Sequence, residues 1–196
     1  MSASRLRLSI LLAGIALNGV IFLAWTQEWI AVILDDSTAL SVAGDVAAPA
    51  VSTLALSGLV LIGALAIAGP FFRVVLGVLQ ALLGSTIVLS GAIAIAAPEA
   101  ASSAVVTAAT GVSGSETIDA LVAQATLTAW PWASTVAGAL LIALGVATVA
   151  TARRWPGSSR KYSAVRTAAA EQGDPVQDWD ALSSGDDPTE PPQPSR

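Results

Sequence analysis

The 196-residue chain has no cysteine and no histidine, and only 12% of its residues are charged. It therefore has no disulfide, thiol nucleophile or histidine base, and it lacks the usual ligands of zinc, copper and haem. The net charge of −5 argues against a nucleic-acid partner. We predict no catalytic residue, no metal site and no cofactor.

The sequence is strongly apolar: 54% of its residues are hydrophobic, and the mean hydropathy is +0.71. Four runs contain no ionisable side chain, at residues 8–25, 51–68, 74–97 and 132–150. At about 1.5 Å of rise per residue, each is long enough to cross a hydrocarbon core of roughly 30 Å as a helix. The runs predict an all-α membrane protein, a four-helix transmembrane bundle at residues 1–152 embedded in a lipid bilayer.

Basic side chains are missing from two of the connections. The loops at 26–50 and 98–131 contain acidic residues but no lysine or arginine. All nine Lys and Arg residues lie before the first run, between the second and third runs, or after the fourth. If the four runs cross the membrane in turn, these segments lie on the same side of it. The positive-inside rule then predicts cytoplasmic termini and outer loops in a bacterial plasma membrane. The rival interpretation is a cleaved signal peptide at the first run. That run is longer than the usual apolar core of a signal peptide, and no clear cleavage site follows it.

The two outer loops are long enough to form a small extracytoplasmic cap. Residues 29–34 are apolar and β-branched, the sequence DDST follows as a turn, and residues 39–44 complete a predicted short β-hairpin. Residues 104–108 are a candidate strand that would extend this hairpin. Residues 116–127 have helical spacing of apolar side chains, with Ser115 as the candidate N-cap.

Tryptophans flank the outer ends of the first and last runs, in the sequences AWTQEW and AWPW. One hypothesis is an aromatic belt at the membrane interface, where indole rings prefer to lie. The other is an outward-facing cleft that binds a ligand. Its candidate binding residues are Thr26, Gln27, Glu28, Trp29, Trp130 and Trp132.

Small residues mark one face of the third span. Arg73, Gly77, Gln80, Gly84, Ile87 and Gly91 follow one another at helical steps of three and four, and Gly138 and Gly145 repeat the pattern in the fourth span. Such glycines let helices approach closely, either within the bundle or in a homo-oligomer. We expect Gln80 to bond across helices, with Asn18, Ser57, Ser134 or Thr135 as partner, and Arg73 to snorkel toward the surface. A polar pathway for a small solute is the alternative interpretation of this face.

The C-terminal segment, residues 153–196, changes character twice. A basic strip with interleaved Trp155 and Tyr162 is suited to a surface of anionic headgroups. From residue 171 the tail is acidic and proline-rich, which predicts disorder. Within residues 171–190, Trp179 and Leu182 are apolar anchors that could dock a cytoplasmic protein partner, and the alternative is a merely solubilising tail.

Three short stretches together resemble a known family: TQEW at residues 26–29, RRWPGSSRKY at 153–162 and WDALSSGDDPT at 179–189. They are similar to the tryptophan-biosynthesis-associated membrane proteins, although Trp25 interrupts the alanine–threonine pair usual in that family. The resemblance implies an association with tryptophan supply through gene neighbourhood, and it carries over no catalytic residue. We expect a non-enzymatic accessory protein that docks a cytoplasmic partner. The alternative is a transporter or sensor of tryptophan or a related aromatic metabolite, and an enzyme is the least supported class.

Overall fold

The computed structural model describes residues 3–155 and residue 183. The elements in chain order are α1 (Ala3–Trp25), β1 (Glu28–Leu34), β2 (Ala39–Ala43), α2 (Gly44–Ala47), α3 (Ala50–Ile67), α4 (Pro70–Ala96), α5 (Pro98–Thr110), α6 (Ser115–Leu121), β3 (Val122–Leu127), α7 (Trp130–Thr151) and a 3-10 turn at Ala152–Arg154. The predicted docking residues Trp179 and Leu182 lie outside the described residues, as does most of the predicted basic strip and acidic tail.

Four of these helices are long and apolar enough to cross a membrane: α1 from Ser4, α3, α4 and α7. This confirms the four predicted spans. Many large apolar side chains of these helices are exposed, among them Val60, Ile67 and Phe71. Exposure of this kind fits a bundle whose surroundings are hydrocarbon. Pro70 begins α4 directly after Gly69, so α3 and α4 form a tight antiparallel hairpin.

The closest helix contact in the bundle is between α4 and α7, and glycines make it. A Cβ atom added to Gly84 would lie 2.7 Å from the carbonyl oxygen of Gly138. One added to Gly145 would lie 2.6 Å from the carbonyl oxygen of Gly77, and one added to Gly91 would collide with the Thr135 hydroxyl. The backbones therefore touch along most of the span. The predicted small-residue face serves contact within the chain.

At the end of the bundle where α1 ends and α7 begins, the cap end, a three-stranded antiparallel sheet has the order β2-β1-β3. The predicted hairpin is confirmed, with Ile30 paired to Val42 on β2 and to Leu127 on β3. Buried side chains of β1 share one core with Ile21 of α1 and Val51 of α3. The cap is thus continuous with the bundle.

Two predictions for the second outer loop were wrong. Residues 104–108 belong to helix α5, because Pro98 starts a helix, alanines sustain it and Gly111 ends it in the left-handed conformation. The helix predicted at 116–127 stops at Leu121, and its second half becomes β3, which pairs with the free side of β1. Ser115 is the first helical residue, and its side chain makes no cap hydrogen bond.

Replacing Gly84 with leucine should destabilise the bundle, since its Cβ cannot fit against the Gly138 carbonyl without separating α4 from α7. We expect a loss of about 1–3 kcal/mol of unfolding free energy, measured in detergent micelles. Gly63→Leu is the matched control, because a Cβ at Gly63 meets nothing within 4 Å. Equal losses in both variants would show that the glycine contact does not hold the helices.

Candidate functional site

Trp29, the centre of the predicted cleft, is fully buried. Its indole Nε1 donates a 2.7 Å hydrogen bond to the carbonyl oxygen of Ala24 near the end of α1. Gly44 makes room for the ring, because a Cβ there would lie 2.7 Å from Nε1. Trp29 therefore ties β1 and β2 to α1 and faces neither lipid nor an open cleft.

The polar residues that precede Trp29 shape the turn between α1 and β1. The Thr26 hydroxyl donates to the carbonyl oxygen of Leu23 at 2.8 Å, and the Gln27 side-chain amide donates to Thr26 Oγ1 at 3.0 Å. The backbone carbonyl of Glu28 accepts a bond from the Thr128 hydroxyl at 2.6 Å, while its carboxylate is exposed. The Thr26 and Gln27 side chains thus cap the end of α1, and the Glu28 carboxylate makes no such local bond and is exposed.

The two tryptophans of α7 differ in their exposure. Trp130 is half-buried and packs against the main core, whereas Trp132 is 54% exposed. Their neighbour Trp25 is also half-buried, and its Nε1 has no hydrogen-bond partner among residues 3–155. Of these tryptophans, Trp132 has the exposure expected of an interfacial belt. The structure does not gather the six candidate binding residues around one cavity, and their ligand-binding role stays a prediction.

A groove that sequence reasoning missed lies between α5 and α6. It has a volume of about 580 Å³ and is lined by Glu99, Ala100, Ser103, Ala104, Thr107, Gly114, Ser115, Ile118 and Asp119. The sequence analysis missed this groove because it interpreted residues 104–108 as a strand. Glu99, Ser103 and Thr107 lie on one side of the groove only when α5 is helical. The groove offers hydroxyl groups and two exposed carboxylates.

The electrostatics of the cap end are uniformly acidic. Its acidic residues are Glu28, Asp35, Asp36, Asp45, Glu99, Glu116 and Asp119, and the loops that carry them contain no basic residue. At the β1–β2 turn, the backbone N–H of Thr38 donates to Asp36 Oδ1 at 2.9 Å, and this bond lowers the pKa of the Asp36 carboxyl. The Asp36 carboxylate therefore keeps its negative charge to a lower pH, and the turn loses that bond only as the pH falls through the lowered pKa.

Polar side chains inside the spans are buried with their bonding incomplete. Asn18 Nδ2 donates to Gly14 of its own helix at 2.8 Å, but its Oδ1 has no partner among the described residues. Both amide atoms of Gln80 and the Ser134 hydroxyl are likewise without a hydrogen bond in residues 3–155. The prediction that Gln80 forms an interhelical hydrogen bond is wrong. Three of its expected partners, Asn18, Ser57 and Thr135, donate to carbonyls of their own helices.

At the end of the bundle that holds the start of α1 and the end of α7, the terminal end, Arg73 is buried rather than snorkelling. Its Nε donates to the Ala68 carbonyl at 3.0 Å, and its Nη1 donates to the carbonyls of Ala152 and Trp155, each at 3.3 Å. These carbonyls follow the C-terminal ends of α3 and α7, where helix dipoles favour a cation.

Trp155 completes this contact from the other side. It is only 4% exposed and packs with Ile10, Ile62 and Leu65, and its Nε1 donates to Thr151 Oγ1 at 3.1 Å. The Arg73 Cζ atom lies 5.2 Å from the centroid of the Trp155 ring, within cation–π range. We call Arg73 and Trp155 the clamp. It fixes the first residues after the last span against the bundle, so Trp155 does not lie on a headgroup surface as expected.

Replacing Gln80 with methionine should stabilise the protein, because the amide has no partner to lose and methionine keeps the volume without a desolvation cost. We expect a gain of about 1 kcal/mol in unfolding free energy, seen as a higher melting temperature in detergent. Leu79→Met, on the exposed face of the same helix, is the control and should change little. A lower melting temperature for Gln80→Met would show that the amide has a partner after all.

A family model for tryptophan-associated transmembrane proteins matches residues 8–189 of the chain. No curated protein matches the chain, and no solved structure does. The family match covers nearly the whole sequence and confirms the resemblance drawn from the three short stretches. The chain, a multi-pass membrane protein by its four spans, belongs to the tryptophan-associated transmembrane protein family.

Proposed function

We propose that this protein is a non-enzymatic accessory protein, associated with tryptophan biosynthesis, that docks a cytoplasmic protein through its C-terminal tail. Both termini are cytoplasmic in this proposal, because the terminal end carries the basic residues. The partner we have in mind is an enzyme of the tryptophan pathway or a subunit of a transporter. The family match supports the link to tryptophan.

The observation that carries the proposal is the clamp. Trp155 is buried, and three hydrogen bonds of Arg73 reach carbonyls on both sides of the terminal end. The C-terminal segment therefore starts from a fixed point on the bundle. An acidic peptide that begins at a fixed point near the membrane presents Trp179 and Leu182 at high local concentration to a protein at the same surface.

The composition of the cap favours a non-enzymatic role. The carboxylates of the cap lie in loops and short helices, and the cap loops contain no histidine, cysteine or lysine that could act with them as base or nucleophile. Chemistry at this end would have to proceed with carboxylates and hydroxyls alone.

A second candidate function is transport or sensing of tryptophan or a related aromatic metabolite. The unpaired polar atoms of Asn18, Gln80 and Ser134 favour it, since buried polar groups within spans often mark a solute path. The burial of Trp29 weighs against the cleft that this function would use as its outer mouth. Flux of radiolabelled tryptophan into vesicles decides the matter, because equal flux with and without the protein excludes transport.

The docking proposal predicts that Trp179→Ala abolishes capture of the partner by the full-length protein. The indole is the largest apolar group of the acidic segment, and hot-spot tryptophans typically carry about 2 kcal/mol or more of binding free energy. The measurement is crosslinking in cells that express the native tryptophan operon, with captured proteins quantified by mass spectrometry.

Trp132→Ala is the matched control, since it removes the same ring from an exposed position on α7. We expect this variant to capture the partner as the unmodified protein does. If Trp179→Ala captures the same proteins in the same amounts, the docking proposal is wrong.

A further inference from the structure

The α5–α6 groove lies between two helices and takes no part in the docking function of the C-terminal tail. Its α5 wall carries Glu99, Ser103 and Thr107 at four-residue steps, so these side chains share one helix face. Its α6 wall carries Asp119 beside Ile118, which is only 4% exposed. The volume of about 580 Å³ falls within the range of small-molecule sites, roughly 300–1,000 Å³.

The negative charge of the groove has no positive counterpart within the cap. Glu99 lies on the α5 wall and Asp119 on the α6 wall, and both residues are exposed. The loops at 26–50 and 98–131 contain no lysine, arginine or histidine, so no cation of the cap can pair with these carboxylates. A positively charged ligand between the two walls would therefore be attracted by both.

The hydroxyl groups of the α5 wall are also available to a ligand. Ser102 and Thr110 of the same helix donate to carbonyl oxygens of α5, each at 2.8 Å, as helical hydroxyls commonly do. Ser103 and Thr107, which line the groove, make no hydrogen bond with any residue in the described part of the chain. Their oxygens can accept from a bound molecule without breaking a bond within the protein.

The apolar part of the lining favours an organic molecule over a bare ion. Ala100, Ala104 and Ile118 place methyl groups among the polar ones. A hydrated ion would leave these groups without a partner, whereas an apolar ligand body would remove them from water. The α6 wall has seven residues, about 10 Å of helix, and this short length suits a small molecule better than a peptide.

We propose that the α5–α6 groove binds a small organic amine, with its ammonium group at the carboxylates of Glu99 and Asp119 and its apolar body against the alanine and isoleucine side chains. A primary ammonium has three donors and one positive charge, which matches a lining of acceptors and negative charge. The hydroxyls of the α5 wall supply further acceptors. The site is independent of the C-terminal tail, so its loss would leave the docking function intact.

The test is equilibrium dialysis of the full-length protein in neutral detergent micelles, with radiolabelled phenethylamine as the probe and protein-free micelles as the blank for partitioning. We expect saturable binding whose affinity falls about threefold or more in Glu99→Gln and in Asp119→Asn, because each change removes a charge at constant volume. Glu116→Gln is the matched control, since it removes an exposed carboxylate of α6 that does not line the groove. Its affinity should stay within about twofold of the unmodified protein.

Further arms separate the charge of the ligand from its apolar body. Hydrocinnamate has the same ring with a carboxylate in place of the amine and should not bind, and methylamine, which lacks the ring, should bind far more weakly than phenethylamine. Ala104→Trp fills the groove with both carboxylates intact and should weaken binding, whereas Ala120→Trp, at an exposed alanine of α6 outside the groove, should not. Equal losses in Asp119→Asn and Glu116→Gln, equal binding of phenethylamine and hydrocinnamate, or no effect of Ala104→Trp would each overturn the proposal.

Discussion

Arg73 is the one charged side chain that the described part of the bundle buries, and the terminal end is organised around it. A buried guanidinium is costly unless its donors are bonded. The carbonyls that follow α3 and α7 supply the acceptors, and the Trp155 ring supplies a polarisable face. Satisfying one cation thus fixes the α3–α4 turn, the end of α7 and the start of the C-terminal segment relative to one another.

The two ends of the bundle have opposite chemistry. The cap end is acidic and built from three strands and short helices, while the terminal end carries Arg7 and Arg73, whose guanidinium groups bond carbonyls at the ends of α3 and α7. Between them the glycine contact of α4 and α7 keeps the bundle narrow, and incompletely bonded polar atoms of Asn18, Gln80 and Ser134 lie within the spans. The α5–α6 groove therefore belongs to the acidic cap end, and the clamp belongs to the terminal end.

The sequence was sufficient to predict the spans and the hairpin, because long uncharged runs indicate spans, and two apolar segments joined by a turn sequence indicate a hairpin. It failed for α5 and β3, where local signals are ambiguous. Val105, Val106 and Thr107 favour a strand, yet Pro98 and Gly111 delimit a helix around them. Residues 122–127 have helical spacing, yet the open side of β1 draws them into the sheet. The burial of two tryptophans could not be predicted from local sequence either. Trp29 depends on the space left by Gly44, and Trp155 depends on its contact with Arg73, and both partners are distant in sequence.

A double-mutant cycle across the clamp tests the central claim, that Arg73 holds the start of the C-terminal segment against the bundle. The unfolding free energies of Arg73→Gln, Trp155→Ala and the double variant would be measured in mixed detergent micelles. We predict a coupling energy of about 1 kcal/mol or more, since each residue removes a contact made by the other. Effects that add to within about 0.3 kcal/mol would contradict the account.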